Sequence, residues 1–249
     1  MGWSTKPMQS VSPQYEAEEK ITVNGNVDLY AVVFNRTTET DLTEDQLPQV
    51  DIYKYKQVIF VGDSRTEFME NVLTGMGESV TKNVKFVCSA GKGLDWFTTT
   101  GWAQLYSIVQ HDSNSILSKK TAVIFNFGVN DLSKSADYAE YYNWIAPQLK
   151  SKGCELYFMS VNPVNRLMLP NAGRADRSEA AVRSFNQYMK ANLSSAYTYI
   201  DMYSYLKSTG YSFASDHYGT GTVDDGLHYT TRTYKRIFAK CMDSLRVPA

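Results

Sequence analysis

From residue 57 onward this 249-residue chain predicts an α/β fold: an open, doubly wound parallel sheet of five strands with helices on both faces. Two observations carry that reading. Short apolar runs recur along the chain, and stretches with apolar residues three and four apart lie between them. The runs are residues 57–61, 84–88, 122–127, 156–161 and 197–200. Short continuous runs rich in Val, Ile and Phe suit parallel strands buried on both faces. The helical stretches are 135–150, with Tyr138, Tyr142, Ile145 and Leu149 on one face and Gly153 as a stop, and 178–193, with Ala181, Phe185, Met189 and Leu193. Residues 230–245 close the chain with Tyr234, Ile237, Cys241 and Leu245 on the buried side of a last helix.

The first 50 residues read differently. Residues 14–51 hold nine acidic side chains against Lys20 and Arg36, a net charge of −7 within a chain whose total is −1. That asymmetry marks a boundary near residue 50, between an N-terminal segment 1–50 and a main domain 51–249. Residues 21–23 and 27–33 read as two strands of a β-hairpin, turned at Asn24-Gly25-Asn26, where Gly and Asn accept positive φ. Residues 37–49 are polar and read as a linker.

Composition removes several classes. A net charge of −1 gives no basic face for nucleic acid. With 4 Trp, 18 Tyr and 11 Phe the chain is too aromatic to stay disordered. No apolar run approaches the roughly 18 residues of a membrane span. The three cysteines, Cys88, Cys154 and Cys241, are far apart, without metal or redox spacing, and read as small buried hydrophobes. The opening Met1-Gly2-Trp3-Ser4 has neither the basic start nor the apolar core of a leader peptide. Trp3 falls inside an interrupted strand unit, which points to a piece of a longer chain.

In a doubly wound sheet, ligands bind beyond the carboxyl ends of the strands. Gly62-Asp63-Ser64-Arg65-Thr66 follows the first run, and Ser89-Ala90-Gly91-Lys92-Gly93 the second. Gly128-Val129-Asn130-Asp131 follows the third and Asn162-Pro163-Val164-Asn165 the fourth. Asp224-Asp225-Gly226-Leu227-His228 precedes the last helix. A hydroxyl, small backbone-donor turns, a carboxamide and an acid–imidazole pair therefore converge on one edge, which are the parts of an acyl-transfer site.

Serine needs a base to become a nucleophile, and His228 is the candidate. The imidazole needs a carboxylate on its other nitrogen; Asp225, three residues earlier, can reach it, with Asp224 the second choice. An oxyanion hole can be built from the Ser64 N–H, a backbone N–H at Gly91 and the Asn130 side-chain amide. Gly93 is the alternative to Gly91.

The blocks Phe60-Val61-Gly62-Asp63-Ser64, Gly91, Gly128-Val129-Asn130-Asp131 and Asp225-Gly226-Leu227-His228 resemble the SGNH (GDSL-type) hydrolases over about residues 55–247. The resemblance implies a flavodoxin-like three-layer α/β/α sandwich and a serine esterase without metal or cofactor. It makes Ser64, Gly91, Asn130 and His228 the name-giving residues, with Asp225 completing the triad. The chain departs from the family pattern at Arg65-Thr66, which puts a cation beside the nucleophile where a leucine-containing continuation is usual.

In the N-terminal part, Gly2-Trp3-Ser4-Thr5 and the stretch from Ile21 to Val32 resemble the second half of an internalin-type B-repeat. That resemblance implies a bacterial secreted or wall-associated setting.

Around this site Arg65 can orient an anionic substrate group or pair with a nearby acid. Trp96 can wall a sugar ring or pack on the following helix, and Asn162 sits at the fourth strand end as a further substrate contact. Asp63 and Asp131 read as loop caps accepting backbone N–H bonds. His111 and His217 lack ligand partners at metal spacing.

Three functions fit. The first is an esterase removing a small O-acyl group, acetyl foremost, from a polysaccharide or peptidoglycan. The second is a lysophospholipase, lipase or thioesterase, with acetyl transfer as a variant of the same chemistry. The third is a surface glycan-binding protein with a vestigial hydrolase domain.

Overall fold

The computed structural model describes residues 2–5, 15–16, 20–32, 40–51, 54–112, 120–214, 219–220 and 224–245. Three short strands come first: β1 (Gly2–Ser4), β2 (Tyr15–Glu16) and β3 (Tyr30–Val32). The main part runs β4 (Tyr55–Gly62), α1 (Ser64–Met76), α2 (Glu78–Thr81), β5 (Val84–Cys88) and α3 (Leu94–Trp96). A π-helical turn, Phe97–Gly101, joins α3 to α4 (Trp102–Asp112). Then come β6 (Lys120–Asn126), α5 (Ser135–Ser151), β7 (Cys154–Met159), α6 (Glu179–Asn192), β8 (Tyr197–Ile200), α7 (Met202–Thr209) and α8 (Thr231–Ser244).

Among the described residues, β4 to β8 form one five-stranded sheet in the order β5-β4-β6-β7-β8, every neighbouring pair parallel. The chain first steps outward from β4 to β5, then crosses to β6 on the other side of β4. That reversal opens a crevice at the carboxyl ends of β4 and β6.

The interior strands β4, β6 and β7 are buried on both faces, and their side chains sort with the two-residue period of extended chain. Ile59, Val61, Val123, Phe125, Leu156 and Phe158 join one core with Leu105 of α4, Tyr142 and Ile145 of α5, and Phe185 of α6. Val58, Phe60, Ala122, Ile124, Tyr157 and Met159 join the other with Phe68 and Val72 of α1, Leu206 of α7, and Ile237 and Phe238 of α8. The result is the three-layer α/β/α sandwich expected. Cys154 and Cys241 are buried and Cys88 half-buried, all as free thiols. No helix among the described residues is long and apolar enough to cross a membrane.

The N-terminal part is β, but its pairing differs from a simple hairpin. β1 is the middle strand of a three-stranded antiparallel sheet, β2-β1-β3. The turn survives as a bend at Gly25, φ +120°, while residues 21–29 before β3 are irregular and Val23, Val27 and Leu29 are exposed.

Nor is residues 37–49 simply a linker; its first three positions lie outside the described residues. Leu47 is buried and, with Val50, packs into the core beside Tyr55 and Leu245. Lys235 of α8 donates to Asp41 (2.9 Å) and to the Leu42 carbonyl (2.7 Å), tying the segment to the main sheet's outer layer.

Candidate active site

The first loop turns directly into a helix. Asp63 caps α1, its Oδ1 accepting the Arg65 N–H at 3.0 Å, so Ser64 is the first residue of the helix, at the positive end of its aligned peptide dipoles. Gly62, the last residue of β4, leaves no space for a side chain: a Cβ there would stand 2.0 Å from Thr66 Oγ1. Asp63 is 1% exposed, and burial raises its carboxyl pKa to about 6 against the opposing pull of Arg65.

His228 closes onto this helix start from the far end of the chain. Its Nε2 lies 2.9 Å from Ser64 Oγ and its Nδ1 lies 2.7 Å from Asp225 Oδ2. Asp225 Oδ1 accepts the backbone N–H groups of Leu227 (2.9 Å) and His228 (2.8 Å), a tight turn that Gly226 allows at φ +72°. A Cβ on Gly226 would also stand 2.3 Å from the Asn165 carbonyl oxygen.

Burial pushes the Asp225 carboxyl up, yet the hydrogen bonds from His228 outweigh it and hold the pKa at about 2. Asp225 is therefore an acceptor only, so Nδ1 carries the imidazole proton and Nε2 is left to accept from the Ser64 hydroxyl. Burial is also the largest influence on His228 and lowers its pKa, against the raising effect of Asp225.

Asp224 does not compete for this role. Its Oδ1 accepts the Gly226 N–H at 2.8 Å and its Oδ2 accepts Asn165 Nδ2 at 3.0 Å.

The second and third loops face one another across the crevice. Asn130 donates from Nδ2 to the Lys92 carbonyl (2.8 Å) and accepts on Oδ1 from Arg177 Nη2 (3.0 Å). Asp131 accepts the Leu94 N–H on Oδ2 at 2.9 Å and the Tyr138 hydroxyl on Oδ1 at 2.7 Å, bracing the two loops together. Glu67 of α1 accepts the Ala90 N–H at 2.6 Å, tying the nucleophile helix to the second loop. Both glycines of that loop are required, for different reasons. Gly91 sits at φ +70°, and Gly93, in extended backbone, has Asp131 Oδ2 2.3 Å from where a Cβ would be.

Of the three expected substrate contacts, Arg65 and Asn162 are buried and Trp96 is half-buried. Arg65 is 3% exposed and points into the protein, donating to the carbonyls of Leu227 (2.9 Å), Asn162 (2.8 Å) and Pro163 (2.9 Å) over the Tyr229 ring. Its guanidinium is taken up by three backbone carbonyl oxygens. Asn162 is 1% exposed beneath the site, its carbonyl serving that guanidinium. Trp96 is half-buried, its indole against Phe127 (6.0 Å between centroids) and filling the space beside Gly101. His217 lies outside the described residues, as does the side chain of His111.

Sequence reasoning missed Phe68, which stacks on His228, and two arginines between β7 and α6. Arg174 Nη2 donates to Asp225 Oδ2 at 3.1 Å, and Arg177 reaches Asn130. The only signal for the arginines was a charged cluster, Arg174-Ala175-Asp176-Arg177, in a loop leaving a strand's carboxyl end.

Such an arrangement can deprotonate a serine hydroxyl, stabilise an oxyanion and protonate a leaving alcohol. The GDSL-like lipase/acylhydrolase family model matches residues 58–241, the span that carries all of these groups. Among solved structures, the fold is similar to that of an acetyl xylan esterase, AlAXEase, at TM-score 0.53 and 12% identity, covering 76% of this chain and 100% of that one. A Slackia heliotrinireducens protein held to be an SGNH hydrolase matches at TM-score 0.53 and 14% identity, over 78% of this chain and 100% of that one. TesA matches at TM-score 0.50 and 13% identity, over 76% of this chain and 98% of that one. No curated protein matches the sequence. With the family model spanning most of the chain and the sheet built in the same way as its structural neighbours, this protein belongs to the GDSL-like lipase/acylhydrolase (SGNH) family and is a carboxylic ester hydrolase.

Proposed function

We propose that the protein is a serine esterase that removes small O-acyl groups, acetyl foremost, from carbohydrate or cell-wall polymers. The observation that carries the mechanism is the unbroken relay from Ser64 Oγ to His228 (2.9 Å) and on to Asp225 (2.7 Å). Ser64 Oγ attacks the ester carbonyl as its proton passes to His228 Nε2. Asp225 holds the imidazole in the required tautomer and stabilises the imidazolium. The oxyanion is met by the Ser64 N–H, the Gly91 N–H and the Asn130 N–H not given to Lys92, each such donor contributing about 10²–10³ in rate. His228 then protonates the leaving alcohol, and water repeats the sequence in reverse roles to release the acid.

The polymer part of the reading is supported by the resemblance of the N-terminal segment to a surface-protein repeat. In this reading residues 51–249 form the hydrolase domain, residues 1–50 a surface-type segment, and the protein acts outside the cell.

The test is hydrolysis of p-nitrophenyl acetate, butyrate and octanoate by the wild type and Ser64→Ala. Acetate release that falls with chain length and drops at least about 10³-fold in Ser64→Ala is expected. A preference for octanoate would move the substrate class to lipid-like or thioester acyl groups, and turnover surviving Ser64→Ala would overturn the mechanism.

A further inference from the structure

Two arginines three residues apart reach opposite halves of the site from one segment. Arg174 Nη2 lies 3.1 Å from Asp225 Oδ2, the same oxygen that faces His228 Nδ1 at 2.7 Å. Arg177 uses its planar fork on two neighbouring acceptors, Nε on the Val129 carbonyl (2.6 Å) and Nη2 on Asn130 Oδ1 (3.0 Å), and Nη1 on the Ala175 carbonyl (2.9 Å).

The segment that carries them is itself fixed. Arg166 and Asp176 make a two-point ion pair at 2.7 and 2.8 Å, and the Arg174 N–H donates to the Leu169 carbonyl at 2.8 Å.

We propose that Arg174 and Arg177 are positioning residues: Arg174 fixes the Asp225 carboxylate and Arg177 fixes the Asn130 carboxamide, so that the β7–α6 segment sets both the acid–base arm and the oxyanion arm. The inference rests on the esterase reading above.

The chemistry differs on the two sides. The Asp225 carboxylate offers about four acceptor directions. Leu227, His228 (twice) and Arg174 take four hydrogen bonds there, which leaves the group no rotation. Arg174 also places a positive charge beside the imidazole. The charged groups that act on His228 are Asp225 on its own turn, Arg65 of α1 and Arg174. Arg65 and Arg174 both oppose protonation of His228. Removing Arg174 therefore raises the histidine's affinity for a proton twice over, by deleting a cation and by leaving the Asp225 oxygen to His228 alone.

For Asn130 the matter is which end of the amide faces the crevice. Acceptance from Arg177 and donation to Lys92 together fix Oδ1 and Nδ2, and without Arg177 the amide can turn its oxygen toward the oxyanion. A lysine cannot hold two acceptors with one fork, so it cannot replace Arg177, whereas it can supply the point charge that Arg174 brings to Asp225.

The experiment uses the full chain with Arg174→Gln, Arg174→Lys, Arg177→Gln and Arg177→Lys. It compares p-nitrophenyl acetate kinetics across pH, thermal melts, and NMR titration of the His228 imidazole assigned with His228→Gln. Arg174→Gln is expected to raise the His228 titration midpoint and the acid limb of kcat/KM together by about one pH unit, with Arg174→Lys closer to wild type. Arg177→Gln and Arg177→Lys are both expected to lower kcat about tenfold or more, with KM and the His228 titration unchanged.

An unshifted His228 titration in folded Arg174→Gln overturns the first arm, and an unchanged kcat in either folded Arg177 variant overturns the second. A melt lowered without these changes assigns the arginines to structure alone. If the wild type shows no Ser64-dependent turnover, the esterase reading falls, while the NMR titration still decides whether Arg174 governs the Asp225–His228 pair.

Discussion

Phe68 of α1 lies nearly flat against the imidazole of His228, ring centroids 4.2 Å apart and 23° between planes. One turn of helix separates Phe68 from Ser64, so the helix that presents the nucleophile also presents the wall behind its base. Since burial is the largest influence on His228 and acts to lower its pKa, this ring helps keep the base neutral near physiological pH.

Phe68→Ala is expected to move the acid limb of kcat/KM upward, because an imidazole opened to water is more easily protonated. The same change removes a buried aromatic side chain and is expected to cost about 3–5 kcal/mol of stability, read from urea denaturation. A lower stability with an unmoved acid limb would show that the ring contributes packing alone.

Asp225→Asn is expected to lower kcat about 10⁴-fold, because an amide can present the wrong group to Nδ1 and impose the unproductive tautomer. Asp225 itself, with a pKa of about 2, stays ionised across the working range. The acid limb of the wild type therefore belongs to His228 and lies below the usual histidine value, with activity present above it and lost as pH falls through it. Asp224→Asn is the contrast: it disturbs the Gly226 and Asn165 contacts but leaves His228 its carboxylate, so the rate falls far less.

Asp63→Asn separates the cap from the charge. The folded carboxyl titrates at about 6 against an ordinary 3.8, so between those pH values the native state holds a proton the unfolded chain has released. Stability from this group therefore falls as pH rises from about 4 to about 6 and levels off above. Asparagine caps a helix as well as aspartate does. Denaturation curves are expected to shift in favour of Asp63→Asn, relative to wild type, by about 2–3 kcal/mol between pH 4 and pH 7.

Arg65→Met is expected to destabilise the protein by at least about 3 kcal/mol, since three buried carbonyls lose their donors. If Arg65 instead recognised an anionic substrate group, the variant would keep its stability and lose only discrimination between anionic and neutral esters. Parallel melts and kinetics on the two ester types separate these outcomes.

How far the sequence reaches is clearest in particular elements. The run at residues 57–61 falls in β4 and that at 122–127 falls on β6, because interior parallel strands buried on both faces must be apolar on both. The periodicity of 230–245 anticipates α8, whose buried side includes Tyr234, Ile237, Phe238 and Cys241. Helix α1 carries no comparable signal. Its buried residues include Ser64, Arg65 and Thr66 alongside Phe68, Met69, Val72 and Leu73, so polar side chains held by the site interrupt the apolar period.

By itself the sequence determined the five strands, the helices α5, α6 and α8, and the loops where Ser64, Asn130 and the Asp225–His228 pair stand. These depend on short-range matters: apolar period, turn residues, and a three-residue separation that a tight turn can close. Only the tertiary structure decided that Asp225 rather than Asp224 faces His228, that Arg65 turns inward, and that Arg174 meets an aspartate 51 residues away. The physical reason is that a guanidinium chooses its acceptors among carboxylates, carboxamides and backbone carbonyls. Every residue carries a carbonyl, and only the packed chain shows which of them lack another donor.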